Sequence, residues 1–216
     1  MNYIFGLLGL IGGILCAIGD VLLDLKGFDS QKLGKYKFME SNWSKMSEWR
    51  FKVSILLAAV GVPLYFLGAT SMAHQLADKN FYFGLSFWIV MVVGSIGGFF
   101  IHAFLCVTPI IYKSMIERVG FALIEEVINR IFDAIKIPFF VMFTALVGAS
   151  SIMLFIAKVI GYLSVPYFML LLTPLPLLII GVLLRLINNK WFHDLPGIVM
   201  PSIGVGMIGL IAIINV

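Results

Sequence analysis

Of the ionisable residues inside the long apolar runs of this chain, three are candidates for chemistry: Asp20, Asp24 and His102. A charge at mid-membrane costs roughly 2.5–3.5 kcal/mol on insertion scales, so an ionisable side chain there marks a functional site by default. Gly9, Gly13, Ala17, Asp20 and Asp24 recur at intervals of three or four and share one helix face. Gly94, Gly98, His102, Cys106 and Pro109 do the same in a later run. Three chemistries fit such a set. An imidazole beside a carboxylate can do general acid–base work. Two carboxylates one turn apart, an imidazole and a nearby Glu would suit Mg²⁺, Mn²⁺ or Zn²⁺. The set lacks a stringent metal-ligand motif, so no cofactor is expected and a divalent metal is kept as an alternative. Asp20 and His102 would also serve as a proton relay. The chain contains no G-x-x-x-x-G-K-[ST] loop, G-x-S-x-G elbow or H-E-x-x-H helix, so soluble-type NTPase, serine hydrolase and zincin readings have no support.

The elements that must position these residues are membrane helices. Of the 216 residues 61% are hydrophobic and 12% charged. Mean hydropathy is +1.07. Soluble domains carry about 25% charged residues. A bilayer core of ~30 Å needs about 20 apolar helical residues to cross it. Six runs reach or approach that length: Tyr3–Leu25, Phe51–Ala73, Phe81–Tyr112, Pro138–Tyr162, Pro166–Asn188 and Gly197–Val216. The expected fold is therefore all-α, a single six-span domain over residues 1–216. The first run has no basic segment before it and carries Asp20 and Asp24 where a signal-peptide cleavage site would stand, so it is read as a true span.

Every Lys and Arg except Lys79 and Lys158 falls in, or beside, the first, third or fifth connection. Short cytoplasmic loops retain positive charge, which puts both termini on the non-cytoplasmic side. Tyr3, Trp49, Tyr82, Tyr112, Tyr162, Tyr167 and Trp191 sit at expected helix ends, as an interfacial belt requires. Tyr65 is mid-span and needs a partner for its hydroxyl. The net charge of +4 is thus a topology signal, and nucleic acid is not an expected partner. Cys16 and Cys106 lie within apolar runs and read as reduced packing residues.

The long first loop, Lys26–Arg50, is polar and reads as an interfacial turn or short helix, with a substrate lid as the alternative. In the third connection Phe121, Ile124, Ile128, Ile131, Phe132 and Ile135 recur at helical spacing. Glu125, Glu126, Asn129, Arg130 and Asp133 take the other face. This predicts an amphipathic helix over about 119–135, lying on the cytoplasmic surface and leading into the fourth span at Pro138. Pro63, and Pro174 with Pro176, would bend spans two and five. No internal repeat is evident.

Gly9-xxx-Gly13 and Gly94-xxx-Gly98 allow close helix approach. The two glycine halves are expected to pack tightly, in one arrangement against each other, or to hold a homo-oligomer. The other halves would open as a polar pocket toward the cytoplasmic leaflet. Asp20 lies ~9 Å along the helix from Lys26, and His102 ~16 Å from Lys113. The candidate catalytic residues are Asp20, His102 and Asp24. Candidate substrate contacts are Glu125, Glu126, Asn129, Arg130, Lys113 and Tyr65. Asp24 also fits a place in headgroup water, and the acidic face of the amphipathic helix a solvated surface.

Gly19-Asp20-Val21-Leu22-Leu23 resembles the G-D-x-L-L of lysoplasmalogenase-like membrane enzymes, which hydrolyse a vinyl-ether bond and typically have eight spans. The similarity covers those five residues and implies Asp20 as a candidate acid. With Trp49-Arg50-Phe51 and Pro63-Leu64-Tyr65, the whole chain is more similar to bacterial multi-pass proteins of unknown function, which implies a bacterial cytoplasmic membrane and no particular activity. Three functions follow as expectations. The first is a small lipid-directed enzyme or lipid-binding protein, with membrane lipids as partners. The second is a proton-coupled transporter or channel. The third is a non-catalytic immunity or assembly factor.

Overall fold

The computed structural model describes residues 2–194 and 196–215, with the backbone alone at 196–198. The expected end of the last span at Val216 lies outside the described residues. Among the described residues the regular elements are helical apart from one small hairpin. Its elements are α1 (Asn2–Asp24), β1 (Lys32–Leu33), β2 (Met39–Glu40), α2 (Glu48–Lys79), α3 (Phe81–Val119), α4 (Phe121–Phe143), α5 (Ser150–Val159), α6 (Pro174–Ile187), α7 (Asn189–Phe192) and α8 (Pro196–Ile214). Among the described residues four helices are long and apolar enough to cross a membrane, as an integral membrane protein requires: Asn2–Asp24, Glu48–Lys79, Phe81–Val119 and Phe121–Val159. Pro174–Ile187 and Val199–Ile214 are shorter apolar helices.

α1, α2 and α8 form the tightest group. Gly9 of α1 faces Gly68 of α2 and Gly209 of α8, and Gly13 faces Gly206. A Cβ at Gly68 would lie 2.7 Å from the Gly9 Cα, so the close approach needs hydrogen on both sides. The glycine stripes of α1 and α3 therefore do not meet. Gly94 packs on Leu146 and Gly98 on the Tyr65 hydroxyl. At the far end of the trio the Gln75 amide donates to Ala212 O (2.7 Å) and accepts from Asn215 (2.8 Å), which ties α2 to α8.

The amphipathic helix and the fourth span are one continuous helix. α4 runs through a π-helical segment (Thr144–Ala149) into α5, with Pro138 inside it. The chain breaks instead at Gly120, whose φ of 77° ends α3. The 39 residues from Phe121 to Val159 extend ~58 Å, about twice the bilayer core. Part of the apolar stripe of α4 is covered by protein: Ile124 and Ile128 are buried with Trp43, Met39 and Tyr112, while Ile131 is exposed. The first loop supplies that cover. It folds as the β1–β2 hairpin and a 3-10 turn (Ser41–Lys45) against α3 and α4. Phe38 and Tyr36 pack against Phe132 in tilted pairs, 4.9 and 5.0 Å between ring centres.

The fifth span is interrupted. A 3-10 segment (Tyr167–Leu172) ends at Thr173, and Pro174 opens α6 in its first turn. Pro is preorganised for that position, so Pro174 starts a helix where a mid-helix bend was expected. Pro63 stays inside α2.

Candidate functional site

Asp20 and His102 meet. α1 ends four residues past Asp20, and Arg50 holds that end by donating to Leu22 O and Leu25 O, both at 2.9 Å. A cation is favourable at a helix C-terminus, and the contact fixes α1 against α2. α3 places His102 so that Nδ1 lies 3.1 Å from Asp20 Oδ1. Both side chains are about 10% exposed. Ser202 of α8 donates to Asp20 Oδ2 at 2.5 Å. Ser54 of α2 lies 2.7 Å from His102 Nε2.

The network assigns its own protons. Ser54 Oγ is also 2.7 Å from Gly19 O and 3.4 Å from Cys106 Sγ. A hydroxyl has one proton to donate and two lone pairs. Gly19 O can only accept, so the Ser54 proton goes there. His102 Nε2–H and the Cys106 thiol then donate to Ser54. With Nε2 protonated, the contact between Nδ1 and the Asp20 carboxylate needs one more proton, carried by either partner. The pair is consequently neutral overall, which is how it is tolerated in an apolar interior. Ser54 has no free lone pair.

Asp20 and His102 stand in the wall of a cavity of about 350 Å³. Ser202 and Asp24 add to its polar lining, and Phe139, Phe140, Phe143 and Leu146 are among its apolar lining. Phe140 is 58% exposed and forms the rim. Ser54 is fully buried and lies outside the lining. The π-helical segment contributes Leu146 and Val147; such insertions recur at functional sites.

Asp24 lines the cavity but pairs with Lys26 at 2.6 Å. Lys26 also lies 3.3 Å from Glu40. The backbone N–H groups of Lys26 and Gly27 donate to Asp194, at 2.9 and 2.6 Å. Burial pulls the Lys26 pKa down, but Asp24, Glu40 and Asp194 outweigh it and the net shift is upward. Tyr65 joins Asp20 and His102 in the cavity wall.

The remaining expected contacts stand elsewhere. Glu125 accepts from the backbone N–H of Lys35 at 2.8 Å. Lys113 donates to Ser44 O and Met46 O. Arg130 pairs with Glu126 on the exposed face at 2.7 Å. Asn129 Oδ1 is buried and has no partner among the described residues. Glu125 and Lys113 thus hold the first loop, and none of the five lines the cavity.

Sequence reasoning missed Ser54 and Ser202. The signal was present: Ser54, Ala58, Gly61, Tyr65 and Gly68 repeat at three and four, as do Ser202, Val205 and Gly209. Among the described residues no three His, Cys, Asp or Glu side chains converge as metal ligands would. Both cysteines are free and buried.

A family model described as "Family of unknown function (DUF6796)" matches residues 1–216. No curated protein and no solved structure matches the chain.

Proposed function

We propose, for a chain that belongs to this family of unknown function (DUF6796), that the cavity takes up an amphiphile from the bilayer and that Asp20 and His102 are its polar contact and acid–base pair. One observation carries the reading: a carboxylate–imidazole pair, neutral overall, stands in the wall of a cavity that is otherwise mostly apolar, with Phe139, Phe143 and Leu146 in its lining and Phe140 exposed at its rim. Asp20 keeps lone pairs for a hydroxyl or amine of a head group, and the proton between Asp20 and His102 is available for transfer to or from it. The alkyl part lies along Phe139, Phe143 and Leu146. A volume of about 350 Å³ is at the lower end of the ~300–1,000 Å³ of ligand sites, which suits one chain better than two.

The proposal includes a topology. The chain crosses the membrane six times, the fifth and sixth by the interrupted segment Tyr167–Ile187 and by α8. The hairpin, Glu125 and Lys113 face the cytoplasm, and a bacterial cytoplasmic membrane is the proposed location. The polar lining of the cavity then lies at the level of the inner leaflet. The glycines of α1, α2 and α8 pack within one chain, so the proposed unit is one copy with lipid as its partner.

Native mass spectrometry with lipid analysis tests this on wild type, Asp20→Asn and the cavity-filling Leu146→Trp. The expected result is a defined lipid retained by the wild type and lost from both variants. Equal, unselective lipid in all three overturns the proposal.

A further inference from the structure

Another cavity, of about 280 Å³, stands between the end of α1 and the start of α2. It shares no lining residue with the Asp20–His102 cavity. Arg50, Lys45, Asp29, Asn42, Ser47 and Trp49 border it, so residues of both charges surround one space. Opposite charges so placed ordinarily pair. Here they do not: among the described residues no N···O contact within 4 Å joins Asp29 to Lys45 or Arg50. Lys26 also borders the cavity, but its ammonium is committed to Asp24 and Glu40 at 2.6 and 3.3 Å. Arg50 uses Nε and Nη2 on the carbonyls of α1 and keeps Nη1. The buried Asn42 amide donates to Lys26 O at 3.1 Å and to Asp29 Oδ1 at 3.0 Å, which holds that carboxylate in place and leaves its Oδ2.

We infer that this cavity binds the head group of an aminophospholipid, with its phosphate at Arg50 and Lys45 and its ammonium at Asp29. A guanidinium and a lysine ammonium suit a phosphate. A carboxylate beside them repels a simple anion and attracts a primary ammonium, which has three N–H donors to give. A zwitterion carrying both charges a few bonds apart bridges the space that keeps Asp29 and Arg50 from pairing. A trimethylammonium offers no N–H and is held instead by cages of aromatic rings. Trp49 is the one aromatic residue in this lining. The cavity also stands at a membrane boundary. α1 and α2 are each long and apolar enough to cross a bilayer, and the cavity lies where one ends and the other begins. Trp49 is 57% exposed there, as a residue at head-group level is.

The test titrates delipidated full-length protein in detergent with the dioleoyl phospholipids of ethanolamine, choline and glycerol, read by native mass spectrometry. Wild type is expected to prefer the ethanolamine lipid to the choline lipid by about tenfold, the difference a charge-assisted hydrogen bond makes, and to bind the glycerol lipid more weakly still. Asp29→Asn keeps an acceptor for Asn42 and is expected to bind ethanolamine and choline lipids alike. Lys45→Gln is expected to weaken both by roughly threefold. Asp29 and Lys45 are exposed, so both variants should fold, which circular dichroism checks. Leu146→Trp, in the other cavity, is expected to leave the preference unchanged. Soluble glycerophosphoethanolamine carries the same head without chains and should displace the lipid only in great excess. Equal binding of ethanolamine and choline lipids by the wild type overturns the inference, as does tightest binding of the glycerol lipid. So does a preference that survives Asp29→Asn or vanishes in Leu146→Trp, or a Lys45→Gln variant that binds as the wild type does. Displacement by the soluble compound at the lipid's own concentration would assign the cavity to a free solute and overturn the lipid.

Discussion

The Ser54 hydroxyl lies 2.7 Å from His102 Nε2, the place a triad nucleophile would take, and it is already saturated. It donates to Gly19 O and accepts from His102 and Cys106. Its role is to hold the ring, with Nδ1 turned to Asp20. Ser54→Ala is therefore expected to retain lipid and to lose on the order of 1 kcal/mol of stability. A fluorophosphonate probe is expected to leave Ser54 unlabelled in intact-mass spectra. A Ser54 adduct would make the residue a nucleophile.

The Asp20–His102 pair should behave as a buried pair in which each member needs the other. Removing one partner leaves an uncompensated polar group, which costs on the order of 3 kcal/mol. Asp20→Leu and His102→Leu are each expected to lower the melting temperature sharply in detergent. The double variant should fall by less than the two losses combined. Additive losses would mean that the groups do not interact.

Glycine contacts in the α1–α2–α8 group should be intolerant of a single methyl. Gly68→Ala pushes against the Gly9 backbone and is expected to cost about 1–3 kcal/mol, as overpacking does. Gly148→Ala meets Thr144 Cγ2 at 3.7 Å, an ordinary contact, and should be neutral. Thermal unfolding of the pair side by side checks this.

Attachment of the first loop through Lys26 should be insensitive to pH across the physiological range. The folded pKa of Lys26 is raised above its ordinary 10.5, net of a burial effect that lowers it and nearby carboxylates that raise it further. A raised lysine contributes its full stabilisation below the unfolded value and loses it only as pH climbs through the folded one. Limited proteolysis between residues 27 and 47 is expected to stay slow from pH 6 to 9. Lys26→Met, which strands Asp24 and Glu40, should make it fast at every pH. Cleavage that rises between pH 7 and 8 in the wild type would contradict the assignment.

Single cysteines introduced into a variant lacking Cys16 and Cys106 should report the topology. Lys37→Cys is expected to react with a membrane-impermeant maleimide only after the membrane is opened, and Lys79→Cys in intact cells. The reverse pattern would invert the orientation.

Hydropathy and charge alone determined that this chain is helical and built for lipid, because a spanning helix needs a long apolar run. Tyr3–Leu25 anticipates Asn2–Asp24 closely. Asp20 and His102 were also legible, since ionisable residues are rare in apolar runs and stand out wherever they fall. Ser54 and Ser202 were not. A serine in such a helix is cheap, because it can bond the carbonyl four residues back, as Ser151 does with Val147. Its residue type therefore does not mark the cross-helix contact it makes; only its place in a stripe of small residues hints at one. The polar face of α4 is open in the sequence between a ligand contact and a solvated surface, and the fold turns Glu125 to the Lys35 backbone. The glycine stripes announced close packing, but which helices close together depends on shape across the whole bundle. Only the tertiary structure decided that α1 meets α2 and α8. That arrangement leaves the space beside Asp20 and His102 to become a cavity.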